Sequence, residues 1–124
     1  MANVVVWADI PVLDLERARA FYAHLLGTPV EYMPGTEGVA LLMPPGTGDP
    51  MDVSADLALG QSIPSTTHGT TIYLDSKGDI DGMLARAVEA GGSILAEKAF
   101  VDKVGWLAYV KDTEGNRIGI HQPG

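Results

Sequence analysis

The 124-residue chain has no cysteine, so neither disulfides nor thiol chemistry can contribute. A chain of this length is expected to form one domain whose core needs no cross-links. Basic residues are few: eight Lys and Arg stand against sixteen Asp and Glu, for a formal net charge of −8. They are scattered rather than clustered, which argues against a nucleic-acid partner. An acidic cleft would instead favour cationic ligands. No apolar run is long enough to span a bilayer, and the first residues lack the charged and apolar regions of a secretion signal. The expectation is a cytoplasmic protein with no membrane partner. Compact catalytic motifs are missing too. Gly46-Thr47-Gly48 lacks the Lys and the strand–helix setting of a phosphate loop, and there is no nucleophile elbow or His-Glu-x-x-His pair.

What the chain does contain is a repeat. A strand, an amphipathic helix ending in Gly and a run of short strands occur in residues 3–59 and again in 68–121, which dictates how sheets can pair. In the first copy Val4 to Ile10 is a β-branched run that predicts a strand. Asp14 caps a helix through Leu26, with Leu15, Ala18, Phe21, Tyr22 and Leu25 at helical spacing and Gly27 as the stop. Val30 to Met33, Gly38 to Met43 and Asp52 to Leu59 predict three more strands, with a Pro- and Gly-rich connection before the last. Residues 60–67 carry no periodicity and link the copies. In the second copy Gly69 to Leu74 alternates as a strand. Asp79 caps a helix from Ile80 to Ala90, with Ile80, Met83, Leu84, Ala87 and Val88 on one side. Ser93 to Phe100, Trp106 to Lys111 and Arg117 to His121 follow as strands, the last two joined by the turn Asp112-Thr113-Glu114-Gly115.

The order βαβββ–βαβββ predicts the α+β class. The expected architecture is a single domain, 1–124, of two βαβββ modules (about 3–59 and 68–121). They would pair into an open, trough-shaped mixed β-sheet with the helices outside. Strand alternation then assigns faces. Val6, Ala8 and Ile10 pack under the first helix, leaving Val5, Trp7 and Asp9 toward the trough. Thr70, Ile72 and Leu74 face the second helix, and Gly69, Thr71 and Tyr73 the trough. In the last strand Ile118 and Ile120 go to the helix while Arg117, Gly119 and His121 point inward. Such a mixed aromatic and polar lining suits a small molecule.

Two motifs carry a family resemblance. They are Asp14-Leu15-Glu16-Arg17-Ala18-Arg19-Ala20-Phe21-Tyr22, closed by Leu26-Gly27, and the final hairpin from Asp112 to His121 (DTEGNRIGIH). Together they resemble the vicinal oxygen chelate superfamily of glyoxalase I, extradiol dioxygenases, fosfomycin-resistance enzymes and bleomycin-binding proteins. The resemblance covers nearly the whole chain and implies paired βαβββ modules, a ligand cavity in the trough and a homodimer. Enzymes of this family bind a divalent metal with one His, Gln or Glu from the first and last strands of each module. Matched position by position, the first-strand sites are Trp7 and Gly69 and the final one is Gly119, none of which can ligate. The fourth falls in residues 52–58, where Ser54 or Asp56 stands. A divalent metal needs three or four donors in fixed geometry, so the usual site and its cofactor are expected to be absent.

Other residues compete for roles. His121 shares the inward parity of the empty position at Gly119 and would act as a general base or hydrogen-bond partner; the alternative is a solvated ring at the end of its strand. Asp9 is a second candidate for proton transfer, or a carboxylate bonding nearby backbone at a strand end. Trp7 and Tyr73 would stack on a flat ligand, with Thr71 beside them, or simply fill the core. Arg117 would pair with a ligand carboxylate or lie solvated. Trp106 and Tyr109 differ in parity, so only one can face the trough. A one-residue slip would turn His68 inward and create a displaced divalent-metal site of His68, His121 and Asp56. His24 reads as a surface residue.

The leading expectation is a metal-free protein that binds an aromatic or cationic small molecule, of the sequestration or resistance kind. The alternative is a lyase, isomerase or dioxygenase-like enzyme of the same superfamily. It would use His121 with Asp9 or Tyr73, without metal or with a displaced one.

Overall fold

The computed structural model describes residues 8–33, 35, 37–42, 55–60 and 64–124. The chain divides into two compact units, Met1–Pro64 and Ser65–Gly124. Each contains one helix and a four-stranded mixed sheet that is not closed. This is the α+β class with the repeated βαβββ order.

In the first unit, β1 (Asp9–Val12), β2 (Glu31–Tyr32), β3 (Val39–Leu42) and β4 (Ala55–Leu59) lie in the order β1-β4-β3-β2. β1 runs parallel to β4, with Asp9 opposite Asp56, and the other pairings are antiparallel. The helix α1 (Leu15–Leu26) starts where the Asp14 carboxylate accepts the Arg17 N–H at 3.1 Å. It stops where Gly27 turns left-handed at φ 71 and donates its N–H to the Ala23 carbonyl, the conformation glycine adopts without a Cβ penalty. Ala18, Phe21, Tyr22 and Leu25 recur at helical spacing and are fully buried against the sheet, as are Ile10, Val12, Ala40 and Leu57. The first strand extends to Val12 rather than ending at Ile10. Pro11 is tolerated there because β1 is an edge strand, where one face of the backbone needs no ladder partner. The segments 4–7, 43–54 and 61–63 of the expected strands and linker lie outside the described residues.

In the second unit, β5 (Ile72–Asp75), β6 (Ser93–Val101), β7 (Gly105–Lys111) and β8 (Arg117–Gln122) lie in the order β5-β8-β7-β6. β5 is parallel to β8, and the β7–β8 and β6–β7 pairs are antiparallel. The helix α2 (Ile80–Glu89) begins with Asp79 accepting the Gly82 N–H at 3.0 Å. A second orphan donor, the Ile80 N–H, is taken by the Gln122 side chain from the end of β8, which fixes the helix start against the sheet. Ile80, Met83, Leu84 and Ala87 bury with Ala108, Val110, Ile118 and Ile120. Val88, expected with them, is instead 50% exposed. It lies four residues past Leu84 and one past Ala87, and at 100° per residue the last turn rotates it off the buried stripe. No helix among the described residues is long and apolar enough to cross a membrane.

Candidate functional site

The second sheet has two faces, and alternation sorts them. Ala108, Val110, Ile118 and Ile120 go to α2, so the intervening residues of β5, β8 and β7 share the opposite face. Register places them in three cross-strand rows. Tyr73 lies beside Gly119, which lies beside Tyr109. Asp75, His121 and Leu107 form the next row, and Arg117 and Lys111 face each other in the row on the other side.

The turn between β7 and β8 sets this register. Asp112 is buried, and its Oδ1 accepts the N–H groups of Glu114 and Asn116 at 2.9 and 2.8 Å, while Oδ2 accepts the Asn116 side-chain amide at 2.9 Å. A buried carboxylate satisfied by three donors holds one turn geometry and leaves no freedom to slip.

The centre of the face is a tyrosine bridge. The hydroxyls of Tyr73 and Tyr109 meet at 2.7 Å, and their rings stand edge to face with centroids 5.8 Å apart. The bridge spans Gly119, and only a glycine leaves it room. A Cβ at position 119 would run into Cδ2 and Cε2 of Tyr73 and lie 3.0 Å from Cγ. The bond to Tyr109 is the main cause that raises the Tyr73 pKa above 10.0, helped by burial and by the charge of Tyr109, while Arg117 pulls the other way.

Arg117 is held on one side of the bridge. Its Nε and Nη2 donate to the Thr71 hydroxyl at 3.0 and 2.7 Å, and its guanidinium sits 5.8 Å from the Tyr109 ring centre. On the other side His121 is half-buried and its Nε2–H donates to the Val104 carbonyl at 2.8 Å. A carbonyl only accepts, so in the neutral ring Nδ1 is the acceptor. Tyr73, Leu74, Asp75, Val104, Leu107 and His121 line a cavity of about 290 Å³.

Of the residues singled out in the sequence, Thr71, Tyr73, Arg117 and His121 thus share one face of the second sheet. Trp7 lies outside the described residues. Asp9 is exposed at the start of β1, beside the buried Asp56 of the first sheet. His68 is exposed, with Nδ1 at 2.8 Å from the Thr67 hydroxyl and its backbone N–H on the Ser65 hydroxyl. Sequence reasoning left Tyr109 and Lys111 out of the site. Counting outward from the Asp112–Asn116 turn pairs Lys111 with Arg117 and Tyr109 with Gly119, and that was the available signal. Trp106 takes the opposite face, packed edge-on against Phe100 with Lys98 above its ring.

The chain belongs to the Glyoxalase/Bleomycin resistance protein/Dioxygenase superfamily, whose family model matches residues 4–120. Among solved structures it is similar to TnmS3, an antibiotic binding protein from Streptomyces sp. CB03234. The two are 26% identical with TM-score 0.67 over 99% of this chain and 98% of that one. A glyoxalase/bleomycin resistance protein from Albidiferax ferrireducens T118 shares the fold at 24% identity and TM-score 0.70, covering 98% and 100% of the two chains. So does the fosfomycin resistance protein FosX from Listeria monocytogenes, solved with Mn(II) and 1S,2S-dihydroxypropylphosphonic acid. It is 17% identical with TM-score 0.66 over 100% and 93%. No match was found among curated proteins.

A divalent metal such as the Mn(II) solved with FosX meets few donors among the described residues. At position 119 the Tyr73 ring occupies the space a ligating side chain would need. Gly69 has φ +96, a left-handed conformation that a His or Glu would adopt only under strain. Trp7 offers only an N–H donor. Among the described residues, no three His, Cys, Asp or Glu form a group that could hold a metal ion. Among the described residues, positions 69 and 119 thus supply no side chain that could ligate a metal.

Proposed function

We propose that the protein binds a small aromatic molecule on the tyrosine face of its second sheet, without a metal centre of the family's kind. The observation that carries the reading is the Tyr73 ring lying over Gly119, the position at which the resemblance implies a His, Gln or Glu in metal-binding enzymes of the family. A hydrogen-bonded pair of phenols offers stacking area at low cost in conformational entropy, and the adjoining cavity of about 290 Å³ approaches the lower range for small-molecule pockets. TnmS3, similar over nearly its whole length, is an antibiotic binding protein, which supports a binding role. A homodimer, a cytoplasmic setting and action of both modules as one domain belong to the same proposal.

The test pairs two titrations. Calorimetry with Zn(II), Ni(II), Mn(II) and Fe(II) is expected to show no tight, stoichiometric uptake. Neutral 1-naphthamide is expected to bind saturably, and Tyr73→Ala to weaken it at least about tenfold, the loss of one stacked aromatic contact. Stoichiometric metal binding would overturn the metal-free reading.

A second reading rests on His121. Its Nε2 lies 2.8 Å from the Val104 carbonyl and the ring lines the cavity, so in the neutral ring Nδ1 is a candidate base for proton transfer in a lyase or isomerase step. In that case His121→Ala would abolish turnover of a ligand that still binds.

A further inference from the structure

Cations are scarce in this chain, and several of them are engaged by acids. Arg19 pairs with Glu16, Arg86 with Asp79 and Lys98 with Asp81. Arg117 and Lys111 differ. They stand opposite each other on adjacent strands and point to the same face, and like charges in that position repel. Among the described residues neither makes an ion pair, although the chain carries twice as many acids as bases.

The neighbouring acids are engaged elsewhere. The Asp112 carboxylate is taken by three N–H donors, and Glu114 accepts the Thr113 hydroxyl. Asp75 lies beyond the tyrosine bridge, in the row of His121, and accepts the Lys77 N–H. The face is therefore polar along its length, with two cations at one end, two phenols in the middle, and His121 with Asp75 at the other.

Resting on the aromatic reading above, we propose that the Arg117–Lys111 end recognises a ligand anion, so that the ligand is an aromatic carboxylate. The guanidinium is already oriented. Thr71 holds the edge formed by Nε and Nη2, which leaves the Nη1–Nη2 edge with two parallel N–H groups. That fork matches a planar carboxylate in two-point contact. One of the two phenols donates to the other, so the acceptor's own hydrogen can serve a second ligand oxygen. A ring over Tyr73 and Tyr109 with its carboxylate on Arg117 would also relieve the repulsion between the two cations. The overall negative charge suggests a cationic ligand, but the local arrangement decides at contact distance, because solvent and salt screen the remote acids.

The experiment titrates the full chain with three probes of one shape: 1-naphthoate, 1-naphthamide and 1-naphthylmethylammonium. The expected order has naphthoate at least about tenfold tighter than the amide, the worth of one charge-assisted contact, and the ammonium weakest. R117Q is expected to erase the preference for naphthoate over the amide, K111Q to reduce it about threefold, and added salt to weaken naphthoate alone. Equal binding of naphthoate and amide, or a preference that survives R117Q, overturns the anion assignment while leaving the aromatic reading in place. Tighter binding of the ammonium does the same. If none of the three binds saturably, the aromatic reading and this inference fall together. The comparison of probes on the unmodified protein stands even if R117Q does not fold.

Discussion

Gly119→Ala tests the tyrosine bridge directly. In an ordinary strand, alanine for glycine adds roughly 0.5–1 kcal/mol of stability by restricting the unfolded chain. Here the new methyl would strike Cδ2 and Cε2 of Tyr73. That ring is 48% exposed, so it can swing outward, but only by giving up its contacts with Tyr109. The hydroxyl bond contributes about 1 kcal/mol at most and less for a half-exposed pair. The edge-to-face contact adds about 0.5–1.5 kcal/mol. The losses outweigh the gain, and Gly119→Ala is expected to destabilise by about 1 kcal/mol. In a Tyr73→Ala background the obstacle is gone, and the same substitution should stabilise by about 0.5 kcal/mol. Urea denaturation of the four proteins in this cycle measures the coupling, expected near 1.5 kcal/mol. An alanine at 119 with the same effect in both backgrounds would refute the close approach of the ring, and with it the argument against a ligating side chain there.

Further outcomes follow from the same geometry. Tyr73 has a raised pKa in the folded chain, so above pH 10 the folded state holds more protons than the unfolded one. Stability is therefore expected to fall as pH rises through that range, and Tyr73→Phe to flatten the fall in alkaline urea titrations. Asp112→Ala removes the acceptor for three buried donors in the β7–β8 turn and should cost about 3 kcal/mol by chemical denaturation. Asp14→Ala deletes the cap of α1 and should cost about 1 kcal/mol in the same assay.

Much of the architecture was legible because its signals are local. The caps at Asp14 and Asp79, the stop at Gly27 and the apolar spacing of Ala18, Phe21, Tyr22 and Leu25 each depend on residues within four positions of one another. The faces of β8 were legible for a related reason. Ile118 and Ile120 must go to the helix, which leaves Arg117, Gly119 and His121 opposite. Val88 failed because five apolar residues in two turns are more than one stripe can bury. Tyr109 was left unassigned because parity told it apart from Trp106 without saying which of the two joined the tyrosine face.

By itself the sequence determined the repeated βαβββ order and the α+β class, since each is written in local pattern and residue identity. Tertiary structure alone decided which open-face side chains meet. The contact of Tyr73 with Tyr109 over Gly119 requires β8 to lie between β5 and β7, an order set by pairing residues more than thirty positions apart. The pairing of Lys111 with Arg117 depends on the turn that Asp112 ties. A one-residue slip would have sent every one of these side chains to the helix side.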